Sequence, residues 1–200
     1  CKRLAVFGGN KMTTAGDCGE SGDHLFQQTL PISYWSDFYI HVPLLNRTSG
    51  ETLKVLASQN NTEVFLDGVN KGTLNAGEFL NLELEKNTTG VIRTSKPAAV
   101  TLLARSQDCN SSPGLIGDPF LLRYQGINQR IKNHTFYSYD EDGFIFNNAN
   151  ILAPTSSISS VRLNNSLIAN RFKPVPGFEE FSFAQVDLKD GANTITSSDG

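Results

Sequence analysis

The stretch LASQNNTEVFLDG, Leu56 to Gly68, decides the fold, because a near copy returns in the second half of the chain as LAPTSSISSVRLNN, Leu152 to Asn165. Each copy reads as a small-residue corner, a polar loop and then a strand with alternate apolar positions, Val64 and Leu66 in one, Val161 and Leu163 in the other. Each strand runs into a residue pair, Asp67-Gly68 or Asn164-Asn165, that tolerates the positive φ a two-residue hairpin demands. Both copies are expected to be hairpins in antiparallel sheets, and the chain to be a doubled β unit.

Working outward, the flanking segments match in the same order. LAVFGGNK, Leu4 to Lys11, is answered by AAVTLLARSQ, Ala98 to Gln107, and GDHLFQQTLP, Gly22 to Pro31, by GDPFLLRYQG, Gly117 to Gly126. Asp23 and Asp118 in the latter pair read as caps of a single helical turn. WSDFYIHVPL, Trp35 to Leu44, aligns with NHTFYSYDED, Asn133 to Asp142. Leu80, Leu82 and Leu84 share one face of a strand, as do Ala184, Val186 and Leu188 of its counterpart. The predicted fold is all-β: two tandem duplicated antiparallel β-sandwich units, jelly-roll or Ig-like with little helix, over residues 1–97 and 98–200. One strand is out of balance. Ser95 is followed at once by the strand Ala98 to Ala104, whereas little follows Ser198. The second sheet is expected to keep an open edge, or to be completed by a strand from residues 3–8, from a neighbouring subunit or from sequence beyond 200.

Composition supports this class. Single Met and Trp residues accompany 13 Phe, 17 Gly and 8 Pro, with turn signals between short apolar runs. The net charge of −3 comes from interspersed acids and bases, which leaves no basic stripe for a nucleic acid. No apolar run approaches the roughly 20 residues that span a bilayer. Asn-x-Ser/Thr sequons at Asn46, Asn60, Asn87, Asn110, Asn133 and Asn164 lie mostly in predicted turns and loops, where a bulky N-linked glycan could project into water. Cys18 and Cys109 sit at corresponding places in the two copies, and a disulfide between them would favour an oxidising, extracellular compartment. Cys1 is left over, which points to a partner in another chain or in sequence not shown.

The chemical motifs are sparse. His24, His41 and His134 have no metal-ligand spacing, and no nucleophile elbow, phosphate loop or dinucleotide fingerprint occurs. No cofactor is expected. The run Asp140-Glu141-Asp142-Gly143 offers oxygens to calcium through Asp140 and Asp142, but it lacks the twelve-residue EF-hand loop and reads first as a solvated turn. Phe178, Phe181 and Phe183 read as core, with an exposed binding patch as the alternative.

Taken together, AVFGGN, GDHLFQQTLPISYW, LNAGEFLNLEL, KPAAV, GDPFLLR, ANILAPTSSISSVRLNN and FAQVDLKDGANTITSSDG resemble the IgG Fc-binding protein N-terminal domain family over nearly the whole chain. The resemblance implies an extracellular β-rich module of multidomain mucus-associated or bacterial surface proteins, without catalytic residues. It also implies a further hydrophobic strand after the ITSSDG-like segment. The leading expectation is a non-enzymatic structural or adhesive glycoprotein module that joins copies of itself or neighbouring extracellular domains through sheet edges into a matrix, surface layer or filament. A glycan- or immunoglobulin-binding recognition module is the alternative. A glycoside-active enzyme, with carboxylates gathered only by folding, is the remote one.

Overall fold

The computed structural model describes residues 4–111, 117–139 and 146–198. Its strands are β1 (Phe7–Thr13), β2 (Asp23–Gln28), β3 (Ser36–His41), β4 (Glu51–Ala57), β5 (Thr62–Leu66), β6 (Val69–Leu74), β7 (Phe79–Leu84), β8 (Gly90–Ala104), β9 (Leu121–Arg123), β10 (Asn133–Ser138), β11 (Asn148–Pro154), β12 (Arg162–Leu163), β13 (Ser166–Leu167), β14 (Lys173–Val175), β15 (Phe178–Asp187) and β16 (Gly191–Thr196). Helical residues among those described form only short 3-10 turns. The chain divides into two compact units, Cys1–Gln129 and Arg130–Gly200.

In the first unit, seven strands share one sheet built around β8, while β1 and β2 form a separate antiparallel pair. The first half of β8 pairs with β5 on one side and β3 on the other; the second half pairs with β4 and β9. The β5 ladder ends at Thr94 and the β4 ladder begins at Ala98, so the bend falls at Ser95 to Pro97, where proline has no N–H to give. Tyr39 ties this corner: its hydroxyl donates to the Ala98 carbonyl at 2.7 Å and accepts the Ser36 N–H at 2.9 Å. Gly126 lies so close to Ser36 that a Cβ there would sit 2.1 Å from the Ser36 Cβ. The curled sheet encloses Leu53, Val55, Val64, Leu82, Ile92, Val100 and Leu102, all but fully buried. Each such side chain contributes about 1.5–3 kcal/mol through burial. The first unit is therefore one curled sheet and a hairpin, a correction to the expected sandwich, because a single strand runs through both halves.

The second unit has two sheets, β10-β16-β12-β13 and β11-β15-β14. Its core comprises Ile151, Ala153, Val161, Ile168, Ala184 and Val186. Phe181 and Phe183 are buried, and Phe178 stacks on Phe181 with centroids 5.8 Å apart. Phe181 and Phe183 are thus covered side chains of β15 and do not form an exposed patch.

The order β6-β5-β8-β3 of the first unit recurs in the second as β13-β12-β16-β10, and β7-β4 recurs as β15-β11. Registers agree as well. Leu66 faces Ile92 and Leu163 faces Ile195, while Leu53 faces Leu82 and Ala149 faces Val186. Both signature turns carry left-handed pairs, Asp67 (φ 50) with Gly68 (φ 77) and Asn164 (φ 48) with Asn165 (φ 69). Their side chains do one job: Asp67 Oδ1 accepts the Val91 N–H at 2.8 Å, and Asn164 Oδ1 accepts the Thr194 N–H at 2.9 Å.

Three features differ from the sequence reading. The position between residues 97 and 98 lies inside β8, and the compact units part after Gln129 instead, because β8 is shared by both halves of one sheet. The segment opening at Asp23 is strand β2 and not a helical turn; Asp23 Oδ1 accepts the N–H of His24 at 2.7 Å. Strand β1, matched in sequence to Ala98–Ala104, pairs with β2 and does not take that strand's place in a larger sheet.

Candidate functional site

Beyond the core, residues 98 to 104 of β8 alternate strictly: the even positions are buried inside the curl, and Ala99, Thr101 and Leu103 point the other way. That outer face is the floor of a groove of about 620 Å³ roofed by the β1–β2 hairpin and by Leu30, Tyr34 and Trp35. The register arranges the floor in rows. Phe79, Leu56 and Ala99 form one, and Leu103 with Leu121 another; between them Lys54, Thr101 and Arg123 line up across β4, β8 and β9. Leu25 and Gln27 of β2 turn toward the groove, whereas Phe26 and Phe7 turn outward and stack on each other with centroids 5.7 Å apart, both more than half exposed.

The groove carries cations and no carboxylate. Lys54 Nζ donates to Asn81 Oδ1 at 3.1 Å and lies 4.4 Å from the centre of the Phe79 ring. Arg123 Nη1 donates to the Gln28 carbonyl at 3.1 Å, and its buried Nε has no hydrogen-bond partner among the described residues. The nearby acid Glu83 is already engaged, accepting from Arg105 Nη2 at 2.7 Å and Thr52 Oγ1 at 2.6 Å.

Behind the groove, Tyr124 reaches into a buried polar cluster. Its hydroxyl lies 2.7 Å from His41 Nδ1, while His41 Nε2 faces Glu51 Oε2 at 3.5 Å and Glu51 Oε1 accepts the Leu44 N–H at 3.0 Å. Burial first, then the negative charge of Glu51, pushes the Tyr124 hydroxyl well above the ordinary tyrosine range. Tyr39 is also raised, chiefly by burial. Arg47, buried, donates to the carbonyls of Arg105, Gly117 and Asp118, and burial lowers its pKa against the pull of Glu51 and Asp118. His41, Glu51 and Arg47 do not line the groove. Their contacts pin the Leu44–Gly50 loop and the Asp118 segment to the sheet.

A disulfide joins Cys18 to Cys109, and both cysteines lie in the first unit. Beside it, Asp108 Oδ2 accepts the N–H groups of Ser21 at 2.9 Å and Glu20 at 3.1 Å, and these bonds, led by Ser21, hold its carboxyl below the usual carboxylate range. Cys1, Asp140 and Asp142 lie outside the described residues. No cluster of metal-ligating side chains occurs among the described residues.

The sequons fall into two groups. Asn46, Asn60, Asn87 and Asn133 are exposed, with Asn46 and Asn87 in left-handed turn conformations. Asn110 is buried; its amide donates to the carbonyls of Ser106 and Gln107, and its oxygen accepts the Thr48 N–H. The Asn164 amide donates to Asn193 Oδ1 at 2.9 Å. The cationic row was missed in the sequence, where its only signal was a charge interrupting each of two apolar runs, Lys54 in TLKVLA and Arg123 in FLLRY.

The first unit is all-β, tied by a disulfide, and carries an open apolar groove and exposed aromatic rings, features that binding modules share. The chain belongs to the IgGFc binding protein family, whose model matches residues 1–200. This membership and the disulfide identify an extracellular module, and among the described residues no helix is long and apolar enough to cross a membrane. No curated protein and no solved structure matches the chain.

Proposed function

We propose that the chain is a non-enzymatic, adhesive module built from a duplicated β unit, and that it joins neighbouring molecules or domains by accepting a strand at the edge of β11. The observation that carries this reading is the difference between β4 and β11. Strand β4 lies between β7 and β8, whereas its counterpart β11 pairs with β15 and, among the described residues, is the end strand of its sheet. A cavity of about 70 Å³ is bounded by Ile151 to Pro154 of β11, Ile195 and Thr196 of β16, and Ile131 and His134. An open ladder beside apolar side chains is a template for strand addition. The incoming strand would present apolar residues at alternate positions to the core, as Ala98, Val100, Leu102 and Ala104 do in β8.

N-linked glycans fit this reading at Asn46, Asn60, Asn87 and Asn133, while the Asn110 and Asn164 amides hold the fold together. Light scattering over a range of concentrations tests the assembly. The expected result is a mass that rises with concentration and falls back when a peptide of residues 98–105 is added. A strict monomer that ignores the peptide contradicts it. A second reading, recognition of an immunoglobulin Fc as the family description names, draws on the exposed Phe7–Phe26 stack. Binding of an immobilised Fc fragment that weakens at least tenfold in the Phe7→Ala, Phe26→Ala double variant would favour it.

A further inference from the structure

We infer that the groove of the first unit is a binding site for an amphipathic carboxylate, a fatty acid being the simplest such ligand, with the anionic head over Thr101 between Lys54 and Arg123. The site is distinct from the β11 edge and does not depend on it. Three observations converge. First, the β4–β8–β9 register places Lys54, Thr101 and Arg123 side by side on one face of the sheet, so a carboxylate resting on the Thr101 hydroxyl meets a cation on each flank. Adjacent strands are about 4.8 Å apart, which both side chains span easily.

Second, the charge there is uncompensated. No acidic residue lines the groove, neither cation forms an ion pair among the described residues, and the buried Arg123 Nε lacks the acceptor that a buried donor requires. A carboxylate oxygen supplies that acceptor and turns an unpaired donor into a charge-assisted bond. Third, the flanking rows are apolar: Phe79, Leu56 and Ala99 on one side, Leu103 and Leu121 on the other, with Trp35 above. A neutral lipid would leave the cations unpaired, and a small hydrophilic anion would leave the apolar walls wet. Only a molecule with both parts satisfies both. A volume of about 620 Å³ is within the usual range for small-molecule sites and admits an acyl chain.

Trp35 lines the groove and is the single tryptophan of the chain, so its fluorescence reports occupancy directly. The experiment titrates the oxidised protein with dodecanoate, dodecan-1-ol and dodecyltrimethylammonium, below their micellar concentrations, with calorimetry alongside. The expected result is saturable binding of dodecanoate with a change in Trp35 emission, and binding of the alcohol and the cation at least tenfold weaker. The Arg123→Gln, Lys54→Gln double variant is expected to lose at least tenfold in dodecanoate affinity while its weak affinity for the alcohol is unchanged. Equal binding of acid and alcohol to the unaltered protein, or no binding of the acid, overturns the assignment whether or not the variant folds. A folded variant that keeps full affinity for dodecanoate also overturns it.

Discussion

Strand β8 runs through both halves of the first unit's sheet, whereas in the second unit β16 stops at Thr196 and the two halves remain separate sheets. The same pairing order has two outcomes: among the described residues, a single strand bridges the two halves in the first unit and none does so in the second. In the first unit, Val100 and Leu102 of that strand are almost completely buried between neighbours on both sides. In the second, the counterpart of Leu53 is Ala149 and the core is smaller. The comparison teaches that the organising element of this fold is the long strand that joins two hairpins across a bend, more than either hairpin itself.

The sharpest way to break the comparison is to loosen the first unit alone. The disulfide spans 91 residues, so replacing Cys18 and Cys109 together by alanine is expected to cost that unit about 4–5 kcal/mol in the chain-entropy account. Denaturant unfolding followed by hydrogen exchange should find the loss in residues 4–111 and 117–129, with residues 146–198 unaffected. Next in size, Leu102→Ala is expected to cost about 4 kcal/mol, because it empties a site with no exposed surface, while Ile151→Ala at the open edge should cost about 2 kcal/mol. Equal losses at the two positions would mean that β11 is already as enclosed as β8.

Alkaline pH separates the units more gently. Tyr124 and Tyr39 have raised pKa values when folded, so their contribution is present below the ordinary tyrosine value of 10.0 and is lost as pH rises toward the folded values. Above pH 10.0 the unfolded chain ionises first, and the stability of the first unit should fall by up to about 1.4 kcal/mol per pH unit for each tyrosine. Tyr124→Phe should flatten that slope by one proton. The smallest effect is expected on the acid side. The Asp108 carboxyl is held below its ordinary value, so its contribution is present above that value and disappears as pH falls through the folded one. Asp108→Asn should speed amide exchange at Glu20 and Ser21 at neutral pH and remove the acid dependence there.

The hairpin signature was legible because Asp67-Gly68 and Asn164-Asn165 constrain the backbone locally, and the same residues then bond to β8 and β16. The continuity of β8 was not, since Lys96-Pro97 reads as a break, yet the chain crosses it without leaving the sheet because partners change there. The aromatic strands illustrate a related limit. Phe38 shares a column with Arg93, as Asn133 does with Thr196, so the match of Trp35 to Asn133 was out of register. Alternation alone fixes the face of a strand but not its position along a neighbour. The groove was hidden because its residues come from β1, β2, β4, β7, β8 and β9, and only pairing brings Lys54, Thr101 and Arg123 into one row.

The strand acceptance proposed for the β11 edge is tested most directly by amide hydrogen exchange of β11 with and without a peptide of residues 98–105, using a scrambled peptide as control. Slower exchange by at least tenfold in Asn148–Pro154, with β14 and the first unit unchanged, is the outcome the proposal predicts. Exchange that is unaltered, or slowed alike by the scrambled peptide, would contradict it.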